Sequence, residues 1–479
     1  MDNRYNTPMA ASRTPARVLG VLFLLLVLVS APSTLLGLQD VQQADRAWRA
    51  GLYEVSATHY QNAARRLPWR GDLWERAGLA ALRAGQPDRA LDFLQRADRS
   101  AGLSPEGRLA LGDALWQEGN RLQALKTWET LHADGFLSED LYRRLAMVYD
   151  GPFFNFPAAI EAYRGLLTLS PQDAGARYRL GLLLTVESPS EAFTELNRAA
   201  QEDPSLATSA QEMTLALGAA LSQDDEAYRF ARIGQGLAAL GEWRLAEMAF
   251  ARAHEVNTAY AEAWALHGEA AQHLGTDGRA YLDEALRLGP DSPLVRVLRG
   301  LYWQRRGDAA RAVNELERAV ALEPQNPAWR VALGEAYAQA GEIPAALAEY
   351  RYATELAPQE ALYWRLLAAF CVHYGVHLED VGLPAAQRAV LLAPETPSSL
   401  DILGWAYLHL GQIDEAKMYL QRALDADPDL AAAHLHMAVL YLQQGQLAPA
   451  YPHLLRARDL GADAPEGQQA EELIRRYFP

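Results

Sequence analysis

The stretch WRVALGEAYAQAGEIPAALAEYRYATELAPQ, residues 329–359, predicts a pair of helices. In its first half, apolar residues recur at intervals of three and four, which places them on one face of a helix. Gly341 predicts the end of that helix, because glycine adopts a left-handed turn without a steric penalty. A second helical pattern carries Ala346, Tyr350 and Ala353 on one face, and Pro358 ends it. The stretch therefore encodes a helix–turn–helix hairpin.

The spacing of this hairpin recurs through most of the chain. Gly51, Gly85 and Gly119 are each 34 residues apart. Glycines at the same place in later hairpins are Gly241, Gly275, Gly307, Gly341, Gly375, Gly411 and Gly445, and the prolines that end the second helices are Pro290, Pro324, Pro358, Pro394 and Pro428. One hairpin cannot bury its apolar face alone, but stacked neighbours can, so a fixed period predicts a stack of repeated hairpins.

The pattern resembles the tetratricopeptide repeat, a family of 34-residue helix–turn–helix units. In the unit WERAGLAALRAGQPDRALDFLQRA, the residues that match the family are Trp74, Gly78, Gly85, Ala90 and Ala97. The resemblance covers nearly the whole chain after residue 38. It implies an all-α fold, a right-handed superhelical α-solenoid of about eleven to twelve such units, preceded by one N-terminal helix.

Breaks in the period predict the domain organisation. The predicted segments are a basic tail over 1–17, a transmembrane or signal-anchor helix over 18–38, a first repeat stack over 39–206, a degenerate helical segment or hinge over 207–226, a second stack over 227–461 and a capping helix over 462–479. A polar cap is expected because the last repeat of a stack has no neighbour to cover its apolar face.

The N-terminal segment predicts a membrane location. Residues 18–38 carry no charge, and 21 helical residues can cross a hydrocarbon core of about 30 Å. The tail before them has a net charge of +2, which favours a cytoplasmic N-terminus and an extracytoplasmic body. A signal peptide that is cleaved, leaving a secreted or periplasmic protein, and a body that faces the cytoplasm are the alternatives.

Composition and motifs argue against several other functions. The net charge of −16 repels phosphate backbones, so we expect no nucleic-acid partner. The single cysteine, Cys371, excludes an internal disulfide framework. No Gly-Lys phosphate loop, HExxH, GxSxG or CxxC motif occurs, which predicts no enzyme activity, no cofactor and no small-molecule substrate. His373 and His377 are four residues apart, but Gly375 interrupts them and no third metal ligand lies nearby.

The resemblance implies that function lies in a concave groove lined by the first helix of each unit. Groove-facing positions in this chain would be Leu301, Gln304, Arg305, Glu335, Gln339, Arg365, His373, Trp405, His409, Val439 and Gln443. The set mixes aromatic, apolar and hydrogen-bonding groups, which suits a peptide-binding surface. The predicted partners are therefore other proteins or peptides, with the membrane contacted through the N-terminal helix.

The resemblance to the repeat family implies two functional hypotheses. One is a membrane-anchored scaffold that recruits proteins for the assembly of cell-envelope or secretion machinery. The alternative is an accessory or regulatory subunit of an envelope enzyme such as a glycosyltransferase. The loop YDGPFFNFPAA, residues 149–159, leaves a further choice open, because its phenylalanines form either a packed bulge or a knob that faces a partner.

Overall fold

A computed structural model describes residues 14–462 and 464–478, with side chains described from Pro32 onward. The described residues form α-helices and no β-strand. They divide into two compact units, one extending to Leu215 and the other beginning at Ala216. The boundary lies within 207–226, the segment where the sequence period breaks.

The first unit contains five consecutive helix pairs. Its helices are α1 Thr14–Arg49, α2 Tyr53–Arg66, α3 Asp72–Arg83, α4 Pro87–Ala101, α5 Pro105–Gln117, α6 Arg121–Ala133, α7 Glu139–Asp150, α8 Phe156–Leu169, α9 Ala174–Glu187 and α10 Pro189–Glu202. A 3₁₀ turn, Pro204–Leu206, leads into α11, Ala207–Leu221, which contains the unit boundary.

The second unit contains seven helix pairs and one final helix. Its helices are α12 Glu226–Ala239, α13 Trp243–Val256, α14 Ala261–His273, α15 Arg279–Leu288, α16 Pro293–Arg305, α17 Ala309–Leu322, α18 Pro327–Gln339, α19 Ile343–Leu356, α20 Ala361–Tyr374, α21 Leu383–Leu392, α22 Pro397–His409, α23 Ile413–Ala426, α24 Ala431–Gln443, α25 Leu447–Leu460 and α26 Pro465–Tyr477.

The hairpin predicted from residues 329–359 is present as α18 and α19. Gly341 lies between the two helices with a φ of +81°. Gly334 of α18 packs against Tyr350 and Ala346 of α19: a Cβ at Gly334 would lie 3.1 Å from the Tyr350 ring and 3.3 Å from the Ala346 carbonyl oxygen. The small residues therefore let the two helices approach closely, and the hairpin prediction is confirmed.

The two glycine series have different physical roles. Glycines between the helices, such as Gly341, have positive φ and no atom within 4 Å of a hypothetical Cβ, so the backbone conformation alone favours glycine there. Glycines inside the first helix, such as Gly112, leave no room for a side chain. A Cβ at Gly112 would lie 2.1 Å from Nε1 of the buried Trp128.

Packing between successive pairs distinguishes two sides of the second unit. From α14 through α24, the first helix of each pair contacts the first helix of the next, whereas the second helices are farther apart. We call the first helices of the pairs the inner helices and the second ones the outer helices. A stack whose inner helices lie closer together than its outer helices curves toward the inner side, so the inner helices line a concave surface.

The pair α20–α21 contains an irregular turn. The sequence places 36 rather than 34 residues between Pro358 and Pro394. A π-helical turn over Leu378–Gly382 follows the left-handed Gly375 and shortens α21 to ten residues. The two extra residues are thus absorbed in the turn, and α21 still ends in register with the other outer helices.

The predicted membrane-spanning segment, 18–38, lies within α1, and most of its side chains lie outside the described residues. In the part of the chain that the structure describes, no helix combines the length and apolar character that crossing a membrane requires.

Candidate binding groove

All eleven predicted groove residues lie on inner helices of the second unit. They occupy α16, α18, α20, α22 and α24, five consecutive inner helices. None of the eleven is buried. The exposed ones are Arg305, Glu335, Gln339, His373, His409 and Gln443, and the half-buried ones are Leu301, Gln304, Arg365, Trp405 and Val439. The side chains are therefore available to a partner on the concave side; that they bind one remains a prediction.

Trp405 is the centre of an aromatic cluster at one end of this row. Its indole stacks on the His436 ring at a centroid distance of 4.0 Å and an interplanar angle of 12°. His409, one turn further along α22, meets the same indole edge-on at 4.4 Å. The cluster joins α22 and α24, so it fixes the indole between two inner helices.

Asp401 on α22 positions this cluster through a hydrogen bond with His436. The Nδ1–H of His436 donates a hydrogen bond of 2.8 Å to Oδ1 of Asp401, a carboxylate that is 5% exposed. This bond orients the imidazole that supports Trp405. Sequence reasoning missed both residues. Their separation of 35 residues, close to one repeat length, is the signal that places them on neighbouring inner helices.

The two histidines of the segment HLH face different sides, as their spacing of two predicts. His436 points toward α22, whereas His434 lies 2.9 Å, Nδ1 to Nδ1, from His453 on the outer helix α25. The Nε2 of His434 is 2.9 Å from the Pro428 carbonyl oxygen, so Nε2–H donates there and Nδ1 accepts from His453. His434 therefore contributes to packing within the last pair and not to the groove.

Arg305, on α16 at the other end of these five inner helices, already forms an ion pair. Its Nη1 lies 2.8 Å from Oε2 of Glu269 on α14 and 3.1 Å from Oε1 of Gln272, and its Nη2 also pairs with Glu269. His273 contacts Glu269 at 3.2 Å and stacks on Trp243 at 3.5 Å. Sequence reasoning missed this pairing, which occupies the guanidinium and leaves it less available to a partner.

Between these two ends, three polar groups have no partner. Nε2 of Gln304 is shielded from water and makes no hydrogen bond to any described residue. Glu335 and Arg365 form no ion pair or side-chain hydrogen bond within the described part of the chain. They lie on α16, α18 and α20, three consecutive inner helices.

Electrostatics indicate that part of this surface is recessed. Burial raises the pKa of Glu335, although water reaches its side chain. Burial, with a smaller effect from His436, lowers the pKa of His409, which is likewise exposed. A side chain that is open to water and yet desolvated by surrounding protein lies in a concave surface.

The possible metal ligand His377 and the single cysteine, Cys371, do not belong to the groove. His377 has a φ of +47° and contacts Asp380 at 3.1 Å, and it lies beyond the end of α20, which carries His373. Over residues 14–462 and 464–478, no group of three or more His, Cys, Asp or Glu side chains is arranged to hold a metal ion. Cys371 is buried, and burial raises the pKa of its thiol to about 11.

The aromatic loop after α7 contains both packed and exposed phenylalanines. Phe156 is buried and Phe153 packs half-buried in the neighbouring core. Phe154 is 49% exposed and has a φ of +47°, a conformation that is strained for a bulky residue. Phe153 and Phe156 are thus packed and Phe154 is exposed; that the loop faces a partner remains a prediction.

Three solved structures show what this chain is similar to. The crystal structure of the APC/C hetero-tetramer Cut9–Hcn1 is 16% identical, with 91% of this chain and 95% of that chain covered and a TM-score of 0.44. Yeast Tom70 is 15% identical, with 92% and 95% covered and a TM-score of 0.41. MamA from Desulfovibrio magneticus RS-1 is 20% identical over 36% of this chain and 98% of that chain, with a TM-score of 0.31. No curated protein matches the chain.

Family models identify the repeats directly. One model of the tetratricopeptide repeat matches residues 304–370 and 407–474, and a second matches residues 41–105 and 155–207. Together these segments cover 253 of the 479 residues and lie in both compact units. Tetratricopeptide repeats are therefore present in both units, and the first of the two models covers most of the proposed groove.

Proposed function

We propose that this chain, a tetratricopeptide-repeat protein, is an interaction scaffold that holds segments of other proteins on the inner helices of its second unit. Its repeats belong to a family that binds proteins. The groove between Arg305 and Trp405 offers exposed or half-buried side chains of mixed chemistry, which suits the recognition of a peptide.

The observation that carries this proposal is the presentation of Trp405. Its indole is braced by His436 and His409, and it still remains half-exposed. A rigid aromatic face loses little conformational freedom when a partner covers it, which is why tryptophan is enriched at binding hot spots.

A photo-crosslinking experiment tests the proposal. We would replace Trp405 by p-benzoylphenylalanine, which keeps a large aromatic side chain, and irradiate cells that express the full-length protein. The matched control carries the same group at Met418, an exposed position on the outer helix α23 of the same pair. Capture of a defined protein at 405 and not at 418 is the expected result. Equal capture at both positions, or none, would overturn the groove assignment.

The identity of the captured protein also separates the two hypotheses. A structural or secretion component would support a scaffold in cell-envelope assembly. An enzyme such as a glycosyltransferase would favour the accessory-subunit alternative, and its activity should then copurify with the wild-type chain and not with a groove variant.

We further propose that residues 18–38 anchor the protein in a membrane with the repeats on the extracytoplasmic side. The charge-free run of 21 residues and the basic tail before it support this assignment. The test is retention in carbonate-washed membranes, followed by protease digestion of spheroplasts. Release by carbonate would contradict the anchor, and protection of the repeats from protease would place them on the cytoplasmic side.

A further inference from the structure

Helix α1 joins the charge-free run to the first repeat without an intervening loop. It extends from Thr14 to Arg49, so the run over residues 18–38 and the first helix of the first pair belong to one helix. At the end of the run, the side chains of Leu35, Leu36 and Leu38 are exposed. Three apolar side chains within four residues are thus uncovered where the helix leaves the stack.

The loop after α2 begins beside α1 at the end of this run. A Cβ at Gly37 would lie 2.7 Å from Cγ of Leu67 and 3.1 Å from Cβ of Arg66, so α2 ends against α1 at this glycine. Leu67 is buried in that contact, and the loop over residues 67–71 continues from it. The start of the loop is therefore fixed at the level where the charge-free run ends.

Trp69 in this loop is the exception among the tryptophans of the chain. All eleven lie in the described residues, and ten are buried or half-buried, whereas Trp69 is 66% exposed. So large an apolar surface is unfavourable in water. Tryptophan is enriched at membrane–water interfaces, where its ring leaves water and its N–H still finds an acceptor. A bilayer around residues 18–38 would offer such an interface at the level of this loop.

The same loop is basic in an acidic protein. Residues 65–70, RRLPWR, contain three arginines and no acidic residue, although the net charge of the chain is −16. Arg66 and Arg70 each pair with an aspartate, whereas the exposed Arg65 forms no ion pair within the described residues. Anionic lipid headgroups attract basic side chains held near the membrane surface. Charge and apolar exposure therefore favour the same partner.

We propose that the first repeat rests on the headgroups of the membrane that holds residues 18–38, with the Trp69 ring in the interface and Arg65 beside anionic lipids. The exposed leucines at the end of the run lie at the edge of the hydrocarbon layer. This assignment rests on the proposed membrane anchor. It adds a second contact with the bilayer, made by a loop that folding brings back to the end of the anchor.

The turn between α1 and α2 provides a control, because it lies at the opposite end of the first pair. From Leu38 to Arg49 a helix rises about 17 Å, and about 13 Å along the membrane normal at a tilt of about 40°. The headgroup layer on one side of a bilayer is about 6 Å thick. Leu52, which follows Arg49 in this turn, should therefore lie beyond the lipids.

Quenching by spin-labelled lipids tests the proposal. An NBD fluorophore is attached to Leu35→Cys, Trp69→Cys or Leu52→Cys, each in the full-length Cys371→Ala protein; the three positions are similarly exposed, at 67%, 66% and 57%. The proteins are reconstituted into vesicles of phosphatidylcholine and phosphatidylglycerol, with and without lipids that carry a nitroxide near the headgroup. We expect at least twofold quenching at positions 35 and 69 and little change at 52.

A charge reversal tests the role of the anionic lipids. Arg65→Glu should remove at least half of the quenching at position 69, because anionic headgroups repel the new carboxylate. Arg49→Glu is the matched control, since it makes the same change of charge at an exposed position at the far end of α1. An equal loss with both variants would show that only the total charge matters and would contradict a contact at Arg65.

The three labelled positions separate this inference from the proposed anchor. Quenching at 35 without quenching at 69 would leave the anchor standing and overturn the contact with the headgroups. A fluorescence blue shift at 69 without quenching would also overturn it, because protein and not lipid would then cover the tryptophan. Equal quenching at all three positions would contradict a defined orientation. Quenching at none, together with release by carbonate, would show that both proposals are wrong.

Discussion

Gly112 illustrates how closely the two helices of a pair approach. The nearest atom to a Cβ at this position is Nε1 of Trp128, at 2.1 Å, and that indole is buried and donates to the Leu109 carbonyl oxygen at 3.3 Å. A methyl group can be accommodated only if the tryptophan moves and its hydrogen bond breaks. The spacing of α5 and α6 therefore depends on the absence of one side chain.

We predict that Gly112→Ala lowers the free energy of unfolding by about 3 kcal/mol, at the upper end of the cost of overpacking. The measurement is urea unfolding of the wild type and the variant. Gly175→Ala is the control, because a Cβ there meets no atom closer than 3.5 Å in the first turn of α9. A Gly112→Ala variant as stable as the control would show that α5 and α6 can separate at little cost.

The histidine pair between α13 and α14 responds to pH. His267 is 7% exposed, its Nδ1 lies 2.8 Å from Nε2 of His254, and its ring stacks on Tyr281 of α15 at 4.0 Å. Burial, and secondarily His254, lowers the pKa of His267 from 6.5 to about 4. Glu247 on α13, at 3.8 Å, is the carboxylate that faces it. The folded state therefore takes up a proton here less readily than the unfolded chain.

This difference predicts that stability falls on acidification. Because the pKa of His267 is lower in the folded state, neutral His267 contributes its full amount to the free energy of unfolding above pH 6.5. This contribution is lost as the pH falls toward 4. At pH 5 the loss amounts to about 2 kcal/mol. Native-state hydrogen exchange of α13 to α15 at pH 7.5 and pH 5, corrected for intrinsic rates, measures it. His267→Gln should reduce the pH dependence, whereas the exposed His377→Gln should not; equal pH dependence in all three proteins would contradict the prediction.

At the scale of the element, the turn between two helices is specified by backbone conformation. Gly341 has a φ of +81° and nothing within 4 Å of a hypothetical Cβ. Steric contact with other residues therefore plays no part, and any effect of a side chain arises from the left-handed conformation itself. The same description fits Gly307 and Gly411, which lie in two other pairs of the second unit and have φ values of +73° and +72°.

We predict that Gly341→Ala destabilises the protein by about 1 kcal/mol, the usual penalty for a Cβ in the left-handed region. Gly341→Asn should cost less, because asparagine tolerates this region better than alanine. Urea unfolding of the two variants checks the order. If Asn were as unfavourable as Ala, a steric clash rather than the backbone conformation would be the cause.

At the scale of the whole molecule, charge is distributed unevenly between the two units. The sequence to residue 215 contains 25 acidic and 22 basic residues, a net charge of −3. The sequence from residue 216 contains 35 acidic and 22 basic residues, a net charge of −13. Like charges that are confined to one compact unit repel one another, so the second unit carries most of the self-repulsion in the chain.

Salt should therefore stabilise the second unit more than the first. Raising NaCl from about 0.01 M to 0.15 M shortens the screening length from about 30 Å to 8 Å and weakens repulsion between distant carboxylates. We expect slower hydrogen exchange in α12 to α26 at the higher salt concentration and a smaller change in α2 to α10. The first unit is the internal control in the same sample, and an equal or larger change there would contradict the prediction.

The candidate site was only partly predictable from the sequence. The repeat period places Leu301, Glu335, Trp405 and Val439 at one equivalent position of four units, and the structure shows all four accessible on inner helices. Which partner each groove side chain has in the folded protein was not predictable. Arg305 is occupied by Glu269, Arg365 is unpaired, and Trp405 rests on a histidine whose orientation depends on a buried aspartate.

The sequence by itself determined the helix pairs, because the signals that specify them are local. Apolar residues at intervals of three and four define each helix, a left-handed glycine ends the first helix, and a proline follows the second. These signals act within a few residues, so they can be identified along the chain without knowledge of its neighbours in space. They also predicted the repeat period from which the inner helices were identified.

Only the tertiary structure decided which side chains meet across the stack. Asp401 and His436 are 35 residues apart, and Arg305 and Glu269 are 36 apart. Whether such residues form a bond depends on the rotation and spacing of neighbouring helices, which the sum of many packing contacts determines. No local pattern encodes that sum, and for this reason the unpaired groups of the groove became visible only in the folded molecule.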